Sequence, residues 1–294
     1  KEVGIMRIGV EGDWQEEIRS LIERRIEELI RRSERELLGT RKSSLVFRHT
    51  RKRCHFMGPE LRILGGYLQS LNIRFGGEIE SILEEIVTRL SLRGLTKFSI
   101  VEEYNRQRNL RLEIEKACYE RIDAYTRGGL IRHRPNELRS KFIRLLDILF
   151  DYQNREEGNF IPGNYDVNLL MRDEERDVFY LVEIKYCNDH DTGKYRNIIR
   201  KFLYTFAGLI RELRIRDRNR FIPIIYYLED GLVKYENIFL IEGENVLRGR
   251  QFFELIGVPE AYDVIIEALS PERYRERLRN ILGRIFRRKD MRIP

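Results

Sequence analysis

Three cysteines in 294 residues, Cys54, Cys118 and Cys187, stand far apart with no C-x-x-C spacing. That argues against a thiolate zinc site, an iron–sulfur cluster or a disulfide framework, and it fits a reducing compartment. Histidine is equally scarce, and His49, His55, His133 and His190 show no H-E-x-x-H or similar metal-ligand spacing. No stretch approaches the roughly 20 consecutive apolar residues of a membrane-crossing helix. The first residues carry no charged–apolar–small leader pattern, so the expected setting is cytoplasmic. A G-x-S-x-G elbow and a G-x-x-x-x-G-K-[ST] loop are both missing, which argues against a serine triad and against a nucleotide cofactor. There is no internal repeat or low-complexity tract. Aromatic residues, Tyr226-Tyr227 and Phe252-Phe253 among them, sit at core spacing and give no RNA-stacking signature.

What the chain does have is charge. Charged residues make up 35% of it against 42% hydrophobic, a balance that suits a folded soluble chain rather than a disordered one. Its length suits one large unit, or a core with a smaller appendage. The net charge of +7 should attract polyanions. Lysine fills only 11 of the 55 basic positions, which leaves 44 to arginine, the better bidentate ligand for phosphate and guanine. A hot habitat or genome composition would produce the same excess.

Helical spacing is plain in several places. Ile18, Leu21, Ile22, Ile26, Leu29 and Ile30 recur on one face between Asp13 and Leu38. A basic loop or short strand, Arg41 to His55, precedes Pro59, which opens a helix over Glu60–Leu71 with Leu61, Leu64, Tyr67 and Leu68 on one face. Gly76-Gly77 should interrupt it, with a further helix over Glu78–Leu90 that turns Ile79, Ile82, Leu83 and Ile86 inward. A strand is expected at Phe98–Val101, a helix over Leu110–Tyr125 ended by Gly128-Gly129, and another from an Asn136 cap to Phe150. After the turn-rich stretch at 151–164 come two β-like runs, then an amphipathic helix beyond Lys194. A buried strand from Phe221, a short strand at Ile238–Ile241, and helices at Gln251–Leu255 and Tyr262–Leu269 follow, ahead of a basic tail, RNILGRIFRRKDMRIP, open to reading as a solvated helix end, a DNA contact or both.

The two β-like runs, Tyr165–Met171 (YDVNLLM) and Val178–Tyr186 (VFYLVEIKY), read as a hairpin around the charged turn RDEERD. A turn centred between Glu174 and Glu175 would set Asp166 directly opposite Glu183. Alternation then collects Tyr165, Val167, Leu169 and Met171 with Val178, Tyr180, Val182 and Ile184 on an apolar face. Asp166, Glu183 and Lys185 fall together on the other. Two carboxylates about 5 Å apart on opposed strands repel each other unless a cation lies between them. Oxygen ligands of this kind suit Mg²⁺, which accepts one or two carboxylates, keeps waters and takes a substrate phosphate. Lys185, one pleat beyond Glu183, is placed to orient a water and to offset phosphate charge. An exposed hairpin face on which Glu183 and Lys185 neutralise each other is the competing reading.

The pair of motifs GNYDV and VEIK resembles the PD-(D/E)xK nuclease superfamily, with Tyr165 where a proline often stands. The likeness covers about Gly163 to Leu228. Upstream, SLNIRFGGEIESIL resembles the S-x-x-x-R-x-G-x-x-x-E stretch of many type II restriction endonucleases, through Ser70, Arg74, Gly76 and Glu80. Gly249 to Phe253 is similar to the closing region of the TdeIII-like type. The resemblance implies an α/β fold with a restriction-endonuclease-like core: a central mixed β-sheet flanked by helices and a largely helical N-terminal region. It divides the chain into an N-terminal helical arm and basic loop (1–60), a nuclease core (61–230) and a C-terminal extension packed on that core (231–294).

For function the resemblance implies Mg²⁺-dependent cleavage of double-stranded DNA at a short palindromic site by a homodimer, leaving 5′-phosphate ends. The metal ligands would be Asp166 and Glu183, the water-positioning cation Lys185 and the accessory acid Glu80. An acid exposed on a charged helix explains Glu80 equally. DNA-contacting candidates are Arg74 and, at the start of the helix after the hairpin, Lys194, Arg196, Arg200 and Lys201, where a helix N-terminus and basic side chains can meet phosphate. Solubilising surface charge fits the last four as well. The loop Asn188–Thr192 could bring His190 or Asp191 near a base edge, or form a plain solvent turn. A structure-selective repair or junction nuclease, or a DNA-binding protein that does not cut, are the other functions open to this sequence.

Overall fold

The computed structural model describes residues 13–38, 59–104, 107, 109–127, 131–186, 192–230 and 236–287. In chain order the elements begin with α1 (Asp13–Leu38), α2 (Pro59–Leu92), β1 (Phe98–Ile100), β2 (Leu110–Glu115), α3 (Lys116–Arg127) and α4 (Pro135–Gln153). Next come β3 (Phe160–Tyr165), β4 (Leu169–Asp173), β5 (Val178–Lys185) and α5 (Thr192–Glu212). The chain closes with β6 (Phe221–Tyr227), β7 (Val246–Arg248), α6 (Arg250–Leu255), α7 (Glu260–Ala268) and α8 (Pro271–Arg287). Two compact units emerge: Lys1–Ile82 with Ala261–Pro294, and Leu83–Glu260.

The first unit is helical in its described residues. All six expected inward residues of α1 are buried, as are Tyr67, Ile79 and Ile82 of α2. Arg25 of α1 pairs with Glu78 of α2 at 2.5 Å, and Arg19 with Glu267 of α7 at 3.0 Å. Gly76-Gly77 does not interrupt α2, which runs unbroken from Pro59 to Leu92. Each glycine costs a helix interior about 1 kcal/mol, but burial of the flanking Tyr67 and of Ile79, Ile82, Leu83 and Ile86 outweighs that cost. Leu68 is 49% exposed instead of sharing the inward face.

The second unit is built on a five-stranded sheet in the order β1-β4-β5-β6-β7. Its first two pairings are antiparallel and its last two parallel, the mixed sheet the sequence implied. A crossover helix, α5, joins β5 to β6, as a parallel pair requires. The ribbon β2–β3 is separate, and it corrects the expectation of a helix from Leu110. LRLEIE alternates strictly, Leu112 and Ile114 going inward and Arg111 and Glu113 outward, and the helix begins only at Lys116. Gly208 lets α5 approach this ribbon, since a Cβ there would stand 2.8 Å from that of Leu112.

Three smaller expectations also change. Arg134, not Asn136, occupies the cap of α4, with Pro135 at the first position, where its missing N–H leaves nothing unsatisfied. Residues 238–241 form a tight buried turn rather than a strand, and the next strand is Val246–Arg248. Beyond α7 the tail continues as a further helix, α8.

Both sheet faces are covered around β5, which explains its nearly continuous apolar run. On one side Tyr180 meets Phe98 edge-on at 5.3 Å, and Tyr226 stacks on Phe252 of α6 at 4.6 Å. On the other, Leu170, Leu181 and Ile225 join residues of α4 and α5 in one core cluster. Glu183 and Lys185 continue that second face toward the carboxyl end of the strand.

Candidate active site

Glu183 and Lys185 share a face, as alternation required, and they pair directly: Lys185 Nζ lies 2.7 Å from Glu183 Oε1, with both side chains about four-fifths buried. An exposed hairpin face would leave such a pair in water. Here it stands where β5 ends and beside the parallel strand β6, at the carboxyl edge of the sheet where open α/β folds place their ligand sites.

Asp166 does not sit opposite Glu183. The hairpin register pairs Leu169 with Val182 and Asp173 with Val178, two residues away from the expected one, and β4 starts only at Leu169. The cause is the turn. Asp177 adopts a left-handed conformation (φ 54°), while Asp173 accepts the N–H groups of Glu175 and Arg176 at 3.1 Å, so that four residues, 174–177, make the loop. A shift of two keeps every side chain on its face, so Leu169, Met171, Val178, Tyr180 and Val182 still share one. Tyr165 belongs instead to β3, paired with Leu110. Asp166 lies in the link between β3 and β4, exposed, and accepts the Asn109 N–H at 3.1 Å.

The residue before it is tied toward α5. Tyr165 and Tyr119 join through their hydroxyls, the Tyr119 ring meets that of Tyr204 edge-on at 4.8 Å, and Tyr204 donates to Asp123 at 2.5 Å. Burial raises the phenols of Tyr165 and Tyr204. Asp123 in turn lies 3.7 Å from Arg200, which also donates to Asn197 at 2.7 Å. Lys194 and Lys201 are exposed and line an open depression of about 560 Å³ with Gly193, Asn197 and Ile198. Arg196 is half-buried. Arg74 and Glu80, both half-buried, stand on α2 in the first unit. The loop 188–191 with His190 and Asp191, the basic loop at 41–55, and Cys54 and Cys187 lie outside the described residues. Cys118 is buried, its thiol pushed up to about 12 by that burial, which makes it a core residue.

Two neighbours of the Glu183–Lys185 pair carry no sequence signal. Tyr227 is the β6 partner of Lys185, and Arg248 is the β7 partner of Tyr227, so the final residues of three adjacent parallel strands form one row. Tyr227 reads from sequence as core, and it is buried, as is Arg248. Only strand register brings these three together.

Among the described residues, no three or more His, Cys, Asp or Glu side chains gather into a metal-binding group. The donors on hand are one or two carboxylates, which fits a hard cation that completes its shell with water and phosphate, not a caged transition metal.

A hairpin leading through a crossover helix to a parallel strand, with an acid–x–lysine pair closing the hairpin's second strand, defines a restriction-endonuclease-like α/β fold. The family pattern described as "Type II restriction endonuclease, HinfI" matches residues 14–271. The type II restriction enzyme HinfI of Haemophilus influenzae is 33% identical over 202 residues, 69% of this chain and 72% of that enzyme. No solved structure matches. The chain belongs to the HinfI family of type II restriction endonucleases, and it is a site-specific deoxyribonuclease. None of its described helices is long and apolar enough to cross a membrane.

Proposed function

We propose that this enzyme is a PD-(D/E)xK nuclease that cuts double-stranded DNA at a short palindromic site, acting in the cytoplasm as a Mg²⁺-dependent homodimer. The observation that carries the reading is the largely buried Glu183–Lys185 pair at the carboxyl end of β5. A largely desolvated ion pair is costly to keep unless the site uses it.

Asp166 and Glu183 would hold the metal, the first from the β3–β4 link and the second from β5. When bound, magnesium supplies positive charge at the phosphate under attack. Lys185 orients the attacking water and stabilises charge on the phosphate oxygens. The water oxygen bonds to phosphorus as the bond to the 3′ oxygen breaks, which leaves a 5′-phosphate and a 3′-hydroxyl. Glu80 serves as an accessory acid, and Arg74 as a DNA contact from the same helix. Lys194, Arg196, Arg200 and Lys201 bind backbone phosphates from the first turns of α5. Their support is the exposed depression between Lys194 and Lys201 just after the acid–x–lysine strand.

Plasmid digestion tests the assignment. Wild-type protein with Mg²⁺ should give discrete, reproducible bands, and Asp166→Ala and Glu183→Ala should each cut at least about 100-fold more slowly. Duplex binding measured without metal should stay within about threefold, because phosphate contacts set it. Full Mg²⁺-dependent cutting by either variant would refute the metal-ligand roles. A species of twice the 35.5 kDa chain mass in sedimentation is the result expected of a homodimer.

A further inference from the structure

We infer that Arg248 and Tyr227 are positioning residues that reserve the Lys185 ammonium for Glu183, by saturating and screening a second carboxylate, Glu242, on the same side of the sheet. This rests on the reading of Glu183 and Lys185 as the reacting pair.

Lys185, Tyr227 and Arg248 are consecutive partners across β5, β6 and β7, so their side chains leave the same face. The row therefore runs cation, ring, cation. Arg248 is 6% exposed and grips Glu242, with Nε at 2.5 Å from one oxygen and a terminal nitrogen at 3.4 Å from the other. Its guanidinium also lies over the Tyr227 ring, 4.7 Å from the centroid. That ring is 2% exposed and sits between the two ion pairs. Burial pushes its hydroxyl up to about 12, Arg248 and Lys185 pull it back, and Glu242 and Glu183 push it further. All four charges thus act on one buried phenol.

Two carboxylates and two cations thus flank one ring, and which acid takes which cation has to be decided. Arginine settles it: its planar fork holds Glu242 in two-point contact and stacks on the ring, neither of which lysine can do as well. Glu242 itself is fixed by a tight turn, its N–H donating to Asn237 Oδ1 at 3.0 Å. Arg248 is held from behind by its own N–H, which donates to Gln251 Oε1 at 2.9 Å. Remove the guanidinium and Glu242 becomes a poorly solvated carboxylate with no counter-charge, in the same electrostatic neighbourhood as Lys185. The lysine is then drawn from Glu183 and from the reacting phosphate.

The experiment is Mg²⁺-dependent cleavage of a plasmid by the full chain, with kcat and KM for wild type, Arg248→Gln, Arg248→Gln/Glu242→Gln and Arg248→Lys, at a temperature where circular dichroism shows each folded. Arg248→Gln should lose at least about tenfold in kcat with KM changed less than about twofold. Removing the competing charge in the double variant should restore kcat to within about threefold of wild type, whereas Arg248→Lys, which keeps the charge but not the fork, should fall between wild type and Arg248→Gln. Wild-type kcat in Arg248→Gln, or a double variant as slow as the single one, overturns the inference. Should Arg248→Gln not fold, Arg248→Lys decides: a loss of kcat at unchanged KM that Arg248→Lys/Glu242→Gln regains supports the role, and wild-type kcat, or a loss that Glu242→Gln does not reverse, overturns it. Lys185→Ala and Glu183→Ala run alongside. If they cut normally, the active-site reading itself fails; if they are inactive and Arg248→Gln is not, only the positioning role fails.

Discussion

Asp173 closes the β4–β5 hairpin with no solvent exposure: one oxygen accepts two turn N–H groups, and the other, with no hydrogen-bond partner among the described residues, lies 2.9 Å from the Lys97 ammonium. Burial pushes its carboxyl up, but the Lys97 ammonium and the N–H groups of Arg176 and Glu175 together outweigh that, and the net shift is below the ordinary 3.8. A carboxylate whose folded value is depressed adds stability above its unfolded value and loses it as pH falls through the folded one. Asp173→Asn keeps an acceptor for the turn but forfeits the ion pair. It should cost about 2 kcal/mol at pH 7, seen as a lower melting temperature, and that difference should shrink below about pH 4. A gap as wide at pH 3 as at pH 7 would remove the charge from the explanation. The same residue shows what single positions reveal. Alternation was enough to put Glu183 and Lys185 on one face, whereas the partner of Asp166 depended on the turn. The left-handed Asp177 and the double acceptance by Asp173 set the loop at four residues, and neither is visible as a pattern of apolar and polar letters.

At the scale of elements, periodicity was readable in α1, where one face alone is buried, and in the alternation that sets Glu183 and Lys185 on one face of β5. It failed where local breakers were overruled or where short segments were read too long. LRLEIE carried a period of two that a reading through to the following helix concealed. The short β7 was missed because its three residues gain strand geometry only from β6 beside them. Gly76-Gly77 is the clearest override, since the helix continues through both. A Cβ built on either glycine meets no atom within 4 Å, and neither has the positive φ that would make a side chain strained. Gly76→Ala and Gly77→Ala should therefore each stabilise the protein by about 0.5–1 kcal/mol, through the lower entropy of the unfolded chain and better helix propensity. Melting temperatures check this directly. A fall in stability in either variant would mean that something closes on that surface of α2. Gly76 also belongs to the S-x-x-x-R-x-G-x-x-x-E stretch. Higher stability coupled with lost cleavage in Gly76→Ala alone would show that DNA approaches the helix there.

For the molecule as a whole, a net charge of +7 says that DNA is attracted but not where. Many of the arginines are already committed to internal pairs: Arg19, Arg25, Arg172, Arg218 and Arg248 each face a carboxylate at 3.0 Å or less. Such residues release few counterions on binding, so the electrostatic response should come from a smaller set. Within α5, Arg200 is held by Asp123 and Asn197, and a phosphate would have to compete for it. Lys194 and Lys201 face the open depression. Each phosphate contact made by a basic side chain contributes about 0.9 to the slope of log binding constant against log salt. Lys201→Ala should thus flatten that slope by about 1, Lys194→Ala should flatten it too, and both should weaken specific and non-specific duplexes alike. Arg200→Ala should flatten it by less, because part of the charge it removes was already neutralised by Asp123. Fluorescence anisotropy with a labelled duplex, titrated between about 50 and 200 mM salt in the absence of metal, reads all three slopes. Equal slopes for all three variants and wild type would take Lys194, Arg200 and Lys201 out of the DNA interface and move the search for phosphate contacts to Arg196 and to Arg74 of α2.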